Sequence, residues 1–372
     1  MYYLDNAATS YPKPESVRRA AERALLSGNP GRGGHRLAQY AEDLVYAVRE
    51  KAARFFGAQA ERVVFTHNAT HALNMALAGA RGEVVTGDME HNAVRRPLEN
   101  NRNVHRVTAS VADTDAQTIE NFRRALSPHT TLCCVTAQSN VTGQRLPIVE
   151  IAKLCKRRGI PIVVDASQAA GTVDLSVDRD GIDMLCTAGH KGLYGIMGSG
   201  LLVLGRDVCP DPLMYGGSGG DSAAADMPSL PPERLEAGTL SVPAIAALGA
   251  GLDFVSAYRE RIDRRERELA KWLCDELRQI DRVRLYGRSD GGTFLFNIEE
   301  MAAQEVATRL DRVGFAVRAG LHCAPDAHQK LGTGEFGGVR VSFGAFSGVD
   351  AAEKFQKEIK KIVKSVSLFK NL

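Results

Sequence analysis

Between residues 63 and 204 the chain alternates short apolar runs with segments of helical periodicity, and this alternation limits the fold more than any other feature. Residues 63–65, 84–85, 104–107, 131–136, 160–164, 184–187 and 201–204 read as strands, with helices near 116–126 and 147–158 between some of them. Strand and helix in turn predict an α/β fold: a mostly parallel sheet covered on both faces by helices. In such α/β/α sheets ligands sit at the carboxyl ends of the strands. Polar clusters stand just there, at His67-Asn68-Ala69-Thr70, at Glu90-His91-Asn92, at Asp165-Ala166-Ser167-Gln168 and at Gly189-His190-Lys191.

After Gly205 the pattern changes. Residues 215–232 are rich in Gly, Ser, Ala and Pro and read as a loop. A long helix near 242–280 follows, then strands near 282–285, 293–298 and 339–343 with helices near 302–313 and 351–366. This predicts a smaller α+β domain. The expected division is an N-terminal segment, 1–14, packing with the small domain, a large domain, 15–245, and a small C-terminal domain, 246–372, carrying the cysteine loop.

Charge and cysteine usage narrow the function. A net charge of +3, with basic residues scattered, argues against nucleic acid. Seven cysteines without a CxxC pair indicate neither a disulfide framework nor a zinc ribbon, and fit a reducing compartment. There is no signal-peptide profile and no apolar run of membrane-spanning length, so a cytoplasmic protein free of membrane is expected.

The residues that carry chemistry start with Lys191, in Ala188-Gly189-His190-Lys191-Gly192-Leu193-Tyr194-Gly195. A lysine among glycines after a buried strand is either solvated on a turn or an amine with a lowered pKa, as a Schiff base requires. Asp165 ends an apolar strand, where it caps the next turn or faces a pyridine nitrogen and keeps it protonated. His91 either caps its helix or stacks on a flat cofactor. Thr70, with Ala69 at a helix N-terminus, suits a phosphate. His67 and His71 lack the glutamate of a zincin helix, so no metal is expected. Asn140 lies in a turn-forming stretch. Arg32 and His35 occupy a Gly-rich loop that is a flexible turn or an active-site wall. In Arg318-Ala319-Gly320-Leu321-His322-Cys323-Ala324-Pro325, the loop setting and polar neighbours favour a reactive thiol over a buried small hydrophobe. Arg340, a charge inside a strand, needs an anionic partner, and its fork suits a carboxylate.

Together these motifs resemble the cysteine desulfurase/selenocysteine lyase family, group II, of the class V aminotransferase superfamily. The resemblance covers nearly the whole chain and rests on Leu4-Asp5-Asn6-Ala7-Ala8-Thr9, Glu90-His91, Val164-Asp165-Ala166-x-Gln168, Gly189-His190-Lys191, Glu236-Ala237-Gly238-Thr239 and Arg318-x-Gly-x-His322-Cys323-Ala324. It implies a fold-type I enzyme dependent on pyridoxal 5'-phosphate. Lys191 would form the Schiff base, Asp165 pair with the pyridinium, Gln168 with the phenolic oxygen, and His91 stack on the ring. Thr70, Ala69 and His190 would hold the phosphate, and Thr239 would reach the phosphate of the other subunit of a homodimer. Arg340 and Asn140 would bind the carboxylate of L-cysteine or L-selenocysteine, with Arg318, Arg32 and His35 near the substrate.

The implied reaction turns L-cysteine into L-alanine and leaves a persulfide on Cys323 for a sulfur-acceptor protein. Other implied activities are selenocysteine lyase, cysteine sulfinate desulfinase, or another class V aminotransferase or lyase. A further reading is a weakly active, cofactor-binding scaffold for a sulfur-carrier partner. Ala188 and Ala69 stand where the family commonly has hydroxyls, so Thr187 or Asn68 is expected to compensate. Ile196-Met197 stands where the family usually has proline.

Overall fold

The computed structural model describes residues 1–31, 33–218 and 223–369, with side chains through 365. Its strands are β1 (Tyr2–Tyr3), β2 (Val63–Thr66), β3 (Gly82–Gly87), β4 (Val104–Ala109), β5 (Thr130–Thr136), β6 (Ile162–Asp165), β7 (Met184–Ala188), β8 (Gly200–Leu204), β9 (Val283–Tyr286), β10 (Thr293–Ile298), β11 (Phe315–Ala316), β12 (Arg318–Gly320) and β13 (Gly338–Ser342).

Seven of them form one sheet in the order β2-β8-β7-β6-β5-β3-β4. Strand β8 runs antiparallel to both neighbours, and the other pairs are parallel. The sequence explains this sheet. Strands β2, β6, β7 and β8 are buried at every position, so they are continuous apolar runs rather than alternating ones. From β3 the chain moves out to β4, then returns to β5 and proceeds to β6 and β7. The order therefore reverses between β3 and β5, and the carboxyl ends of these strands frame a crevice.

The smaller unit is an antiparallel sheet in the order β12-β13-β10-β9. The N-terminal segment joins it: β1 pairs with β11, Asp5 bridges to Ser342, and Leu4 lies in the small unit's apolar core. A single helix, Val242–Arg278, serves both units. Its first part, with Ile245, Leu248 and Leu252, packs in the core of the large sheet; Leu269, Leu273 and Leu277 pack in the core of the small one. Residue 245 therefore lies inside a continuous helix, and the two cores meet along its length.

One buried ion pair ties the motif around Thr239 to the large sheet. Glu236 accepts from Arg49 through both oxygens, at 2.8 and 2.9 Å, and from the Phe65 amide at 2.6 Å. Both side chains are 7% exposed, and the guanidinium lies over the Phe65 ring. Removing one partner strands a buried charge. Glu236→Ala is expected to lower the stability of the fold by about 3–5 kcal/mol, read from urea unfolding. A change below about 1 kcal/mol would show that water reaches the pair.

Candidate active site

The ends of β2, β3, β5, β6 and β7 converge on a cavity of about 240 Å³. Thr70, Ala69, His91, Asn140, Asp165, Gln168, His190, Lys191, Arg318 and Arg340 all line it. Residues as far apart in sequence as Ala7 and Arg340 are thus brought together by the large sheet and by one strand pair of the small unit.

Lys191 sits on a closed turn after β7. The Tyr194 amide donates to the Lys191 carbonyl at 2.9 Å, and the Gly195 amide to Gly189 at 2.8 Å. Tyr194 takes a φ of 57°, and its hydroxyl accepts from the Ala345 amide at 2.6 Å, which ties the turn to the small unit. The glycines are needed for close packing: a Cβ at Gly192 would run into the Ala170 carbonyl. Ile196-Met197 lies in this turn, closed by Ser199, whose hydroxyl donates to the Ile196 carbonyl at 2.8 Å. Burial lowers the Lys191 pKa to about 8; Arg340 and Arg318 add to the effect and Asp165 opposes it. A sizeable fraction of neutral amine follows near neutral pH.

The other side chains are set by short-range chemistry. His91 is the N-cap of helix Asn92–Glu99, its Nδ1 accepting from the Ala93 amide at 3.0 Å. It also lines the cavity, so the two sequence readings are compatible. Burial holds its pKa down to about 4, against the pull of Asp165, and the capping bond puts the proton of the neutral ring on Nε2. Asp165 is 4% exposed; its Oδ1 accepts from the amide and hydroxyl of Ser167. Gln168 donates from Nε2 to the Ala7 carbonyl at 2.9 Å, which fastens the N-terminal segment to the cavity wall.

The phosphate end differs from expectation at one residue. Thr187 is fully buried, with its hydroxyl on the Ala166 carbonyl, and does not line the cavity, because it faces the sheet interior. Asn68 does line it, but its Oδ1 caps helix Ala69–Leu77 by accepting from the His71 amide at 2.9 Å. The amides of Ala69 and Thr70 have no acceptor among the described residues. His190 Nδ1 is likewise buried without a partner, and burial lowers that ring's pKa to about 4. These groups make a neutral, donor-rich end for an anion.

Two arginines stand directly opposite each other on β12 and β13, Arg318 against Arg340. Like charges at such a pair repel, so anions must face them. Arg340, 1% exposed, donates to Asp5 Oδ1 at 2.7 Å and to the Asn140 carbonyl at 3.0 Å, and its Nε has no partner among the described residues. Arg318 lies 3.7 Å from Cys323 Sγ. Cys323 is half-buried, does not itself line the cavity, and is near enough that a thiolate there would favour the Lys191 ammonium. Its loop is anchored twice: Asn140 Nδ2 donates to the His322 carbonyl at 2.7 Å, and the Asn92 amide to the Cys323 carbonyl at 2.7 Å.

Thr239 and His35 are not brought to this cavity by their own chain. Thr239 is exposed on a separate cavity of about 410 Å³ beside Asn29, Pro30, Tyr46 and Leu230, and His35 caps helix Arg36–Phe56. Arg32 lies outside the described residues.

Sequence reasoning missed several contributors. Thr9, Ser10 and Lys13 all reach the His190 carbonyl, at 3.0 Å from the Thr9 hydroxyl, 3.1 Å from the Ser10 amide and 2.7 Å from Lys13 Nζ. Asp5 pairs with Arg340. Their sequence trace is the motif Leu4-Asp5-Asn6-Ala7-Ala8-Thr9, which carries the resemblance without assigning these contacts. Glu90 is fully buried behind the cavity, accepting from the amides of Gly87 and Thr136. Burial pushes its pKa up to about 8, with Asp165 adding to the shift against the two amides. The folded value lies above the unfolded 4.5, so Glu90 favours folding at low pH and that contribution is lost as pH rises to about 8. Glu90→Gln cannot ionise, so urea midpoints measured from about pH 5 to 9 should fall less steeply than in the parent. An unchanged slope would show Glu90 already ionised in the fold.

The family model for aminotransferase class-V matches residues 2–355. A probable cysteine desulfurase of Methanothermobacter thermautotrophicus is 33% identical, over 91% of this chain and 89% of the relative. A probable cysteine desulfurase of Synechocystis is 30% identical, over 99% and 92%. The solved cysteine desulfurase of Thermococcus onnurineus superposes with a TM-score of 0.90 at 29% identity, covering 98% of this chain and 95% of that one. A match of this extent, around a cavity lined by a lysine, an aspartate and two arginines, places the chain in the class V aminotransferase family.

Proposed function

We propose that the chain is a pyridoxal-phosphate-dependent cysteine desulfurase that converts L-cysteine to L-alanine and takes the sulfur onto Cys323. One observation carries the reading: a low-pKa lysine and a strand-end aspartate line one cavity, and a cysteine stands just behind its wall against Arg318, which does line it. The relatives named above as cysteine desulfurases support it.

The residues present fit the cofactor. The free amides of Ala69 and Thr70, the Thr70 hydroxyl and the partnerless Nδ1 of His190 suit its phosphate. Asp165 suits its ring nitrogen, His91 its ring face, Gln168 its phenolic oxygen and Lys191 its aldehyde carbon. When bound, pyridoxal phosphate supplies an electron sink that weakens the Cα–H and Cβ–S bonds of an attached amino acid.

The chain's own residues supply the rest. Arg340 and Arg318 draw the substrate carboxylate, with Asn140 setting the wall beside it. Lys191 moves the α-proton as general base. The Cys323 thiolate attacks the substrate sulfur; an S–S bond forms and the Cβ–S bond breaks. Its electron pair stays with Cβ, which is protonated to the methyl group of alanine. Cysteine and a thiol thus give alanine and a persulfide, with no outside oxidant.

Thr239 and His35 act on a second copy in this reading, as a homodimer would allow. The exposed Leu25, Leu26, Leu37, Tyr40, Tyr46 and Leu230 give that face the apolar character of a subunit contact. The persulfide passes to an acceptor protein. Among the described residues no helix is long and apolar enough to cross a membrane. The cysteines, all unpaired, fit a reducing, cytoplasmic site of action.

Steady-state assay of the holoenzyme with L-cysteine and a thiol reductant tests the reaction. Alanine and sulfide are expected in equal amounts. Alanine without sulfide, or pyruvate in its place, would assign the site to another class V reaction.

A further inference from the structure

Behind the Cys323 loop lies a chain of polar groups that none of the chemistry above uses. His322 Nε2 is 3.0 Å from the Arg318 carbonyl, His322 Nδ1 is 3.1 Å from His328 Nε2, and His328 Nδ1 is 2.7 Å from Thr333 Oγ1. The two rings stack with centroids 5.3 Å apart. His322 is 2% exposed, His328 0% and Thr333 7%, so water does not complete these bonds.

The proton positions follow from the end of the chain. A carbonyl oxygen only accepts, so His322 carries its proton on Nε2. Burial, aided by Arg340, keeps the His322 pKa down to about 3, and burial keeps His328 down to about 4, so both rings are neutral. His322 Nδ1 is therefore a bare acceptor, and His328 must donate to it from Nε2. That leaves His328 Nδ1 bare, so the Thr333 hydroxyl gives its one proton to this ring nitrogen, at 2.7 Å, rather than to the His328 carbonyl at 3.2 Å. Every link runs one way: Thr333 to His328 to His322 to the Arg318 carbonyl.

This chain ends where the thiol is held. Arg318 receives the last bond on its carbonyl and approaches Cys323 Sγ with its guanidinium. His322 and Cys323 both take left-handed backbone angles, φ 50° and 58°, which side-chain-bearing residues adopt only when their surroundings impose them. We propose that His328 and Thr333 are positioning residues for the sulfur-accepting step: by fixing the tautomer of His322 they hold the left-handed turn that aims Cys323 beside Arg318. The inference rests on Cys323 being the sulfur acceptor.

The test uses the holoenzyme with His328→Leu, which fills the ring's space without a donor, and His328→Gln, whose amide N–H reaches toward the position of Nε2. Three quantities are read: kcat and KM for L-cysteine, the visible spectrum of the bound cofactor, and the rate of Cys323 alkylation by iodoacetamide, mapped by peptide mass so that the exposed Cys209 is counted apart. His328→Leu is expected to lower kcat about 10- to 100-fold and slow Cys323 alkylation several-fold, with KM and the spectrum nearly unchanged. His328→Gln should recover most of both losses. Should His328→Leu prove poorly folded, Thr333→Val removes only the first donor and should move the same two quantities in the same direction.

Alkylation and kcat within about twofold of the parent in both His328→Leu and Thr333→Val would overturn the proposal. So would equal losses in the Leu and Gln variants accompanied by loss of cofactor, since that marks general structural damage. Full cysteine turnover by Cys323→Ala would instead defeat the sulfur-acceptor reading, while alkylation in the parent and the His328 variants would still decide whether the turn is held by this chain.

Discussion

Cys323→Ala should bind pyridoxal phosphate as the parent does and lose L-cysteine turnover to below about 1%. The expectation follows from where the residue sits. Cys323 is not among the residues lining the cavity, and its sulfur is held by Arg318 rather than by any group assigned to the cofactor. Removing the sulfur deletes the proposed nucleophile, leaves Asp165, His91 and the phosphate end untouched, and takes from Lys191 only the pull of a nearby thiolate on its ammonium. The cofactor's visible band should therefore persist and still shift on adding L-cysteine, while alanine no longer appears. Cys323→Ser separates nucleophilicity from shape, because the hydroxyl fits the turn and does not accept sulfur. Substantial alanine formation by either variant would place the sulfur acceptor elsewhere. The other described cysteines are poor substitutes: Cys133, Cys134, Cys155, Cys186 and Cys274 are buried, and Cys209 lies in the segment after β8, away from the cavity lining.

Lys191→Ala should reduce turnover on the order of 10⁴-fold or more and leave a protein that loses its colour on dialysis. Two functions fail together, covalent attachment of the cofactor and removal of the α-proton. The argument depends on burial: an exposed lysine would stay charged near neutral pH, whereas Lys191 is drawn to about 8 by desolvation, with Arg340 and Arg318 reinforcing the effect. Lys191→Arg should fail as completely, since a guanidinium keeps its proton. Adding a small primary amine to Lys191→Ala should restore part of the rate with a pH profile set by the added amine. A variant retaining a tenth of the parent's turnover would show that another group moves the proton.

Much of the large unit was legible because its strands are buried on both faces. Strand β6, Ile162–Asp165, is an unbroken apolar run ending in an acid, and that contrast marks both the strand and the site. Helix Val242–Arg278 was legible from its length and periodicity. The antiparallel direction of β8 was not, because reversing a buried strand changes neither its composition nor its period. Nor were β1, β11 and β12, which are two or three residues long and carry no pattern. Strand β12 matters most, since it alone sets Arg318 opposite Arg340.

At the site, the sequence named most of the polar groups that line the cavity and missed their partners. Arg340 was expected to await a substrate carboxylate, yet Asp5, from the other end of the chain, occupies part of its fork. Gln168 spends an N–H on Ala7, and Thr187 turns into the sheet rather than toward the phosphate. Each is a tertiary fact that no local pattern encodes. The clamp of Thr9, Ser10 and Lys13 on the His190 carbonyl belongs with them, because it joins residues more than 170 positions apart.

The most direct test is a single turnover. Holoenzyme is mixed with a limiting amount of L-cysteine and no reductant, then quenched for alanine analysis and peptide mass mapping. The account predicts one alanine for each sulfur atom gained, with that sulfur on the peptide carrying Cys323. Alanine formed with the added sulfur on another cysteine, or with none on the protein, would contradict it.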